Sequence, residues 1–97
     1  MNKLEINELF DQYGSLLTKR QYEILSLYFQ EDLSYSEISE NLEISRAAVM
    51  DTVHRGTNLL EKYEQNVGVL SLKQKIYDIL ENATDLEEMK RDIQNLL

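Results

Sequence analysis

The sequence predicts an all-α protein: a helix-turn-helix bundle followed by a C-terminal helical extension. Three observations carry that prediction. The 97 residues contain no proline and only three glycines, so long helices run uninterrupted. Apolar residues recur three and four positions apart through most of the chain. Segment after segment opens on Asn, Ser, Thr or Asp placed three residues ahead of Glu or Gln, the pattern by which a side chain and a backbone N–H satisfy each other at a helix start.

Residues 3–13 form the first helix, with Asn2 and Glu5 as capping partners and Ile6, Leu9, Phe10, Tyr13 and Leu17 facing inward. Gly14 ends it, suited to a left-handed terminal position. Thr18 and Gln21 cap the second helix, which runs to about Gln30 with Ile24, Leu25, Tyr28 and Phe29 on its core side. Lys19 and Arg20 occupy its first turn, the electrostatically unfavourable end for cations. A phosphate contact would account for that placement, and so would an ordinary solvated pair.

The centre of the chain is LSYSEISENLEISRAAVMDTVHRGTNLLEKY, from Leu33 to Tyr63. Ser34 and Glu37 cap a helix whose Ile38 and Leu42 lie one turn apart. Glu43-Ile44-Ser45 make the turn, with Ile44 as an apolar plug and Ser45 as the cap of the next helix. Val49, Val53, Gly56, Leu60 and Tyr63 then form one buried stripe. Gly56 costs roughly 1 kcal/mol against alanine in a helix interior, which implies close approach of another backbone. Arg46, Ala47, Met50, Asp51 and His54 face outward, on the side that a DNA-binding member of this motif places in the major groove. Two packed helices of a plain bundle would show the same periodicity.

Past Tyr63 the long helix ends near Val67, with Gly68 at its cap. Ser71 and Gln74 mark another helix, striped by Leu72, Ile76, Ile79, Leu80 and Ala83. Asp85 and Glu88 mark the last, striped by Leu86, Met89, Ile93, Leu96 and Leu97. The expected division is a helix-turn-helix domain over 1–69 and amphipathic helices over 70–97. The latter need a surface, either by packing back or by meeting another chain, as in a homodimer.

No cysteine is present, so disulfides and thiolate metal sites are out. No run approaches the ~20 apolar residues of a membrane span, and the start has no signal-peptide pattern, which makes a cytoplasmic protein the default. The net charge is −8, unfavourable for a phosphate binder. Charge at contact range matters more, because screening sets in at about 8 Å. From Ser45 to Asn58, Arg46 and Arg55 stand against Asp51, a balance of +1.

His54 is the only histidine, with Asp51 one turn earlier. No activated nucleophile accompanies them, no glycine-rich phosphate loop appears, and no cluster has metal-ligand spacing. An enzyme is not indicated, and no cofactor is expected. The six tyrosines sit beside core stripes, and Tyr35 is the best placed for exposure to a base.

LTKRQYEILSLYFQEDLSYSEISENLEISRAAVMDTVHRG resembles region 4 of bacterial sigma factors, through Leu17-Thr18, Arg20, Ile24-Leu25, Tyr35, Glu37-Ile38, Leu42, Ile44-Ser45, Ala48-Val49, Val53 and Arg55. The whole chain, and SRAAVMDTVHRGTNLLEKYE in particular, is similar to the YlxM-like family of small sigma-region-4-like bacterial proteins. Genes of that family lie beside those for the signal recognition particle GTPase. The resemblance implies a regulatory or accessory role in co-translational targeting, through DNA, the particle's RNA or its GTPase. Glu43 stands where sigma factors usually carry glycine, so either the turn differs or Glu43 is held left-handed under strain. Ala47, Met50 and Asp51 replace the basic and amide side chains usual on the groove face.

Two functions follow as expectations. The first is an accessory nucleic-acid-binding protein, with Arg46, His54 and Arg55 contacting nucleic acid. In it Ala47 and Met50 share the presented face, Ser45 caps the helix, and Lys19 and Arg20 position the phosphate backbone. The second is a protein-interaction module acting through residues 72–97, with the acidic surface discouraging nucleic acid.

Overall fold

Local caps decide where the helices begin, and the computed structural model, which describes residues 2–97, has six of them. They are α1 (Lys3–Tyr13), α2 (Lys19–Leu25), α3 (Tyr35–Leu42), α4 (Arg46–Val67), α5 (Val69–Asn82) and α6 (Leu86–Leu96), with no strand among the described residues. The side chains of Asn2, Thr18, Ser34 and Asp85 each accept from the backbone N–H three residues on. At Thr18 and Ser34 the reciprocal bond from Gln21 or Glu37 is also made. Hydrogen bonds from Ser34 hold the Glu37 carboxyl below its ordinary range.

The chain divides into two units, residues 1–67 and 68–97. In the first, α1, α2 and α3 pack on α4 around Leu9, Phe10, Ile24, Leu25, Ile38, Val49, Val53 and Leu60, all buried. Burying a side chain of this size contributes about 1.5–3 kcal/mol each, so this core holds α4 in place. Tyr13 adds a polar tie, its hydroxyl donating to Glu64 at 2.6 Å.

Several local expectations are corrected. The second helix does reach Gln30, but from Ser26 it widens into a π turn, with the Glu31 N–H donating to the Ser26 carbonyl. The turn closes through Asp32, a left-handed residue (φ 58°) whose carboxylate pairs with Lys3, and through Leu33 N–H to Leu27 O. Gly14 is right-handed (φ −56°) and begins a 3-10 turn over Gly14–Leu16. Its lack of a side chain serves packing, because a Cβ there would lie 3.3 Å from the Tyr22 ring and 3.4 Å from that of Phe10. Gly56 admits a side chain and not a backbone: a Cβ would stand 2.7 and 2.9 Å from the two Leu25 methyls. The fifth helix starts at Val69, before the expected Ser71, because the left-handed Gly68 (φ 72°) lets the chain re-enter a helix at once.

The turn between α3 and α4 resolves the question posed by Glu43. It is left-handed (φ 56°, ψ 42°), its N–H bonds to Ser39 O, and the Ser39 hydroxyl donates to Ile44 O at 2.6 Å. A left-handed non-glycine residue costs roughly 1–2 kcal/mol. Glu43→Gly is therefore expected to raise the thermal midpoint by several degrees, about 1 kcal/mol in a domain this small. A midpoint unchanged or lowered in thermal denaturation would contradict that account of the turn.

In the second unit, α5 and α6 form a helical hairpin with no buried residue, and Leu80 and Leu86 are half exposed or more. Below about 40 residues a chain seldom buries enough apolar surface to be stable alone.

Candidate nucleic-acid interface

The presented end of α4 is set by Ser45, whose hydroxyl accepts from the Ala48 N–H at 3.1 Å while its carbonyl accepts from Val49. Val49, Val53, Gly56 and Leu60 are buried beneath it, which leaves Arg46, Ala47 and His54 exposed and Met50 half-buried. At 3.6 residues per turn, Arg46, Met50 and His54 incline to one flank of the helix and Arg55 to the other. Asp51 lies between them.

The cations differ in what already holds them. Arg55 Nε pairs with Asp51 Oδ2 at 2.9 Å, and Arg20 with Glu23 at 3.0 Å. The Asp51 carboxylate therefore engages Arg55, so the His54–Asp51 pairing open to the sequence gives way to this ion pair. Lys19 and Arg46 have no ion pair among the described residues, which makes them the more available phosphate contacts. Lys19 and Arg20 share a shallow depression with Glu23 and Leu42, at the far end of α3 from Tyr35. The candidate residues thus form a presented helix end and two outlying basic points, without converging on one cleft. No cluster among the described residues has the makings of a metal site.

The sequence missed an aromatic feature beside this face. Tyr35 is half-buried, its ring stacked on Tyr28 at 4.7 Å and 8°, while Tyr28 meets Phe29 edge-on at 4.9 Å. The exposed tyrosines are instead Tyr22 and Tyr77. The hydrogen bond with Tyr28, then burial, push the Tyr35 hydroxyl up to about 12, and nearby Arg46 works the other way. The two tyrosines, seven positions apart, meet only because the π turn and left-handed Asp32 reverse the chain between them, and neither has a compositional signature.

Fold and presented face together define a small, all-helical helix-turn-helix protein. The family model described as "Putative helix-turn-helix protein, YlxM / p13 like" matches residues 1–97. The chain belongs to that family, UPF0122. It is 38% identical over 97 residues to a UPF0122 protein of Halalkalibacterium halodurans, covering 97% of this chain and 89% of the relative. A Fusobacterium nucleatum relative is 39% identical over 98 residues, with 97% and 94% covered. One from Pediococcus pentosaceus is 48% identical over 66 residues, 68% of this chain and 58% of its own length. No helix among the described residues is long and apolar enough to cross a membrane.

Proposed function

We propose that this protein is a regulatory or accessory nucleic-acid-binding factor of the signal recognition particle pathway, acting on DNA or on the particle's RNA. The observation that carries the reading is the capped, outward end of α4, where Arg46 stands exposed and without an ion pair among the described residues, beside Ala47, Met50 and His54. Family membership supports the helix-turn-helix role; the link to the particle, including contact with its GTPase, rests on resemblance to the YlxM-like proteins. With few cations available, binding should be weak and its salt dependence shallow, each neutralised duplex phosphate adding about 0.9 to the slope. Titration of the full chain with the particle RNA and with duplex DNA over a range of salt tests this. Salt-sensitive binding is expected, and no binding of either at low salt would defeat the reading.

A second reading, a protein-interaction role, is favoured by the hairpin of α5 and α6, whose apolar stripe is at most half-buried. Two copies of such a hairpin would make a four-helix bundle. Sedimentation of the full chain and of a version stopped at Val67 tests it: a dimer lost on truncation is expected, and monomers in both would exclude tail-driven pairing.

A further inference from the structure

The hairpin of α5 and α6 is asymmetric in two directions, across its width and along its length. Across the width, Ile76 and Ile79 of α5 and Met89 and Ile93 of α6 are half-buried. One position further on, a rotation of about 100°, come Tyr77 and Leu80 in α5 and Lys90 in α6, all exposed. The two helices run antiparallel, so rotation in the same sense carries both to the same side of the pair. Leu86, three positions before Met89, leans the same way by about 60°. Tyr77, Leu80 and Leu86 are 61%, 50% and 62% exposed, and together they make one open apolar face with the Lys90 stem beside it.

Along the length, charge is segregated. Glu81, Asp85, Glu87 and Glu88 cluster at the turn end, a balance of −4. Asp78 and Asp92 offset Lys90 and Arg91 at mid-length, and Lys73 and Lys75 give the open end +2. The Lys90–Glu87 contact, 3.8 Å between two side chains more than half exposed, offsets little of the turn-end charge. Lys73 and Glu81 stand about 12 Å apart along α5. That exceeds the ~8 Å over which salt screens exposed charges, so each end keeps its own sign.

We infer that a second copy of this chain docks on the face of Tyr77, Leu80 and Leu86 with its hairpin reversed, turn end against open end; this rests on the protein-interaction reading above. Pairing turn to turn would crowd eight carboxylates together and leave lysines facing lysines at the other end. Reversal brings each acidic turn beside the two lysines of the other copy, and a two-fold axis makes both contacts at once. Tyr77, near the middle of α5, then lies close to the axis, while Leu80 and Leu86 reach toward the other copy's open end. Each copy carries both halves of the complementary surface, which singles out the same chain as the partner.

The chain has no cysteine, so Thr84→Cys places a single spin label at the hairpin turn. Thr84 is exposed, and its backbone N–H, which donates to Glu88 at 3.1 Å, is retained. Reversed docking separates the two labels by about the length of α5, roughly 20 Å. Turn-to-turn pairing would bring them to about one helix spacing, 8–10 Å. Sedimentation of the full chain reads the oligomeric state alongside. Leu80→Gln should weaken the dimer at least about tenfold. Helicity should hold, because Leu80 is already half exposed. A dimer with labels one helix spacing apart, or far beyond the length of α5, or one indifferent to Leu80→Gln, overturns the reversed docking and leaves the protein-interaction reading standing. Monomers at every concentration overturn both.

Discussion

Arg46→Glu is expected to weaken nucleic-acid binding at low salt by at least about tenfold, the worth of one charged hydrogen bond lost and a repulsion gained. Helicity and melting should not fall. Arg46 is the first residue of α4, exposed and without an ion pair among the described residues, so no fold-holding ion pair is lost. A carboxylate there meets the positive end of the helix dipole, which stabilises the helix slightly. From Ser45 to Asn58 the charge balance changes from +1 to −1. Arg55→Glu is the informative comparison. Arg55 lies on the other flank and already pairs with Asp51, so its reversal should cost binding less. Affinity unchanged by Arg46→Glu, or reduced more by Arg55→Glu, would move the interface away from the capped end of α4.

The parts of this structure legible in the sequence are those decided within one turn of chain. Ser34 and Glu37 announce a helix start because both hydrogen bonds close across three residues. The stripe from Val49 to Leu60 announces a buried face because helical periodicity alone sets it. What escaped depends on chain that is distant or unusually curved. Ser71 carries the right residue type for a cap, but left-handed Gly68 starts the helix first. The π turn over Ser26–Gln30 is written in ordinary helix-forming residues, so the displacement of Tyr28 toward Tyr35 has no local cue. The outward candidates Arg46 and His54 were legible as members of one helix face. That Arg20 and Arg55 spend their charge on Glu23 and Asp51 is visible as spacing in the sequence but becomes decisive only once the geometry is known.

The second large effect concerns the seam between α2 and α4. Leu25 is fully buried, and its two methyl groups occupy the space a side chain at position 56 would need. Leu25→Ala should therefore destabilise the fold by about 2–5 kcal/mol, through lost burial and the cavity left behind. Gly56→Ala pits two effects against each other. Alanine is favoured over glycine in a helix by about 1 kcal/mol. Its Cβ, however, would stand 2.7 Å from a Leu25 methyl that cannot easily retreat, and overpacking of this kind costs about 1–3 kcal/mol. The net should be neutral to moderately destabilising. In the double variant the clash is gone, the new methyl fills part of the cavity, and the helix preference for alanine remains. Leu25→Ala with Gly56→Ala should thus be more stable than Leu25→Ala alone, with a coupling energy of about 1 kcal/mol or more. Denaturant unfolding of the four proteins measures it directly. Simple additivity would mean that Leu25 yields when position 56 acquires a side chain. The glycine would then reflect something other than the fit of α2 against α4.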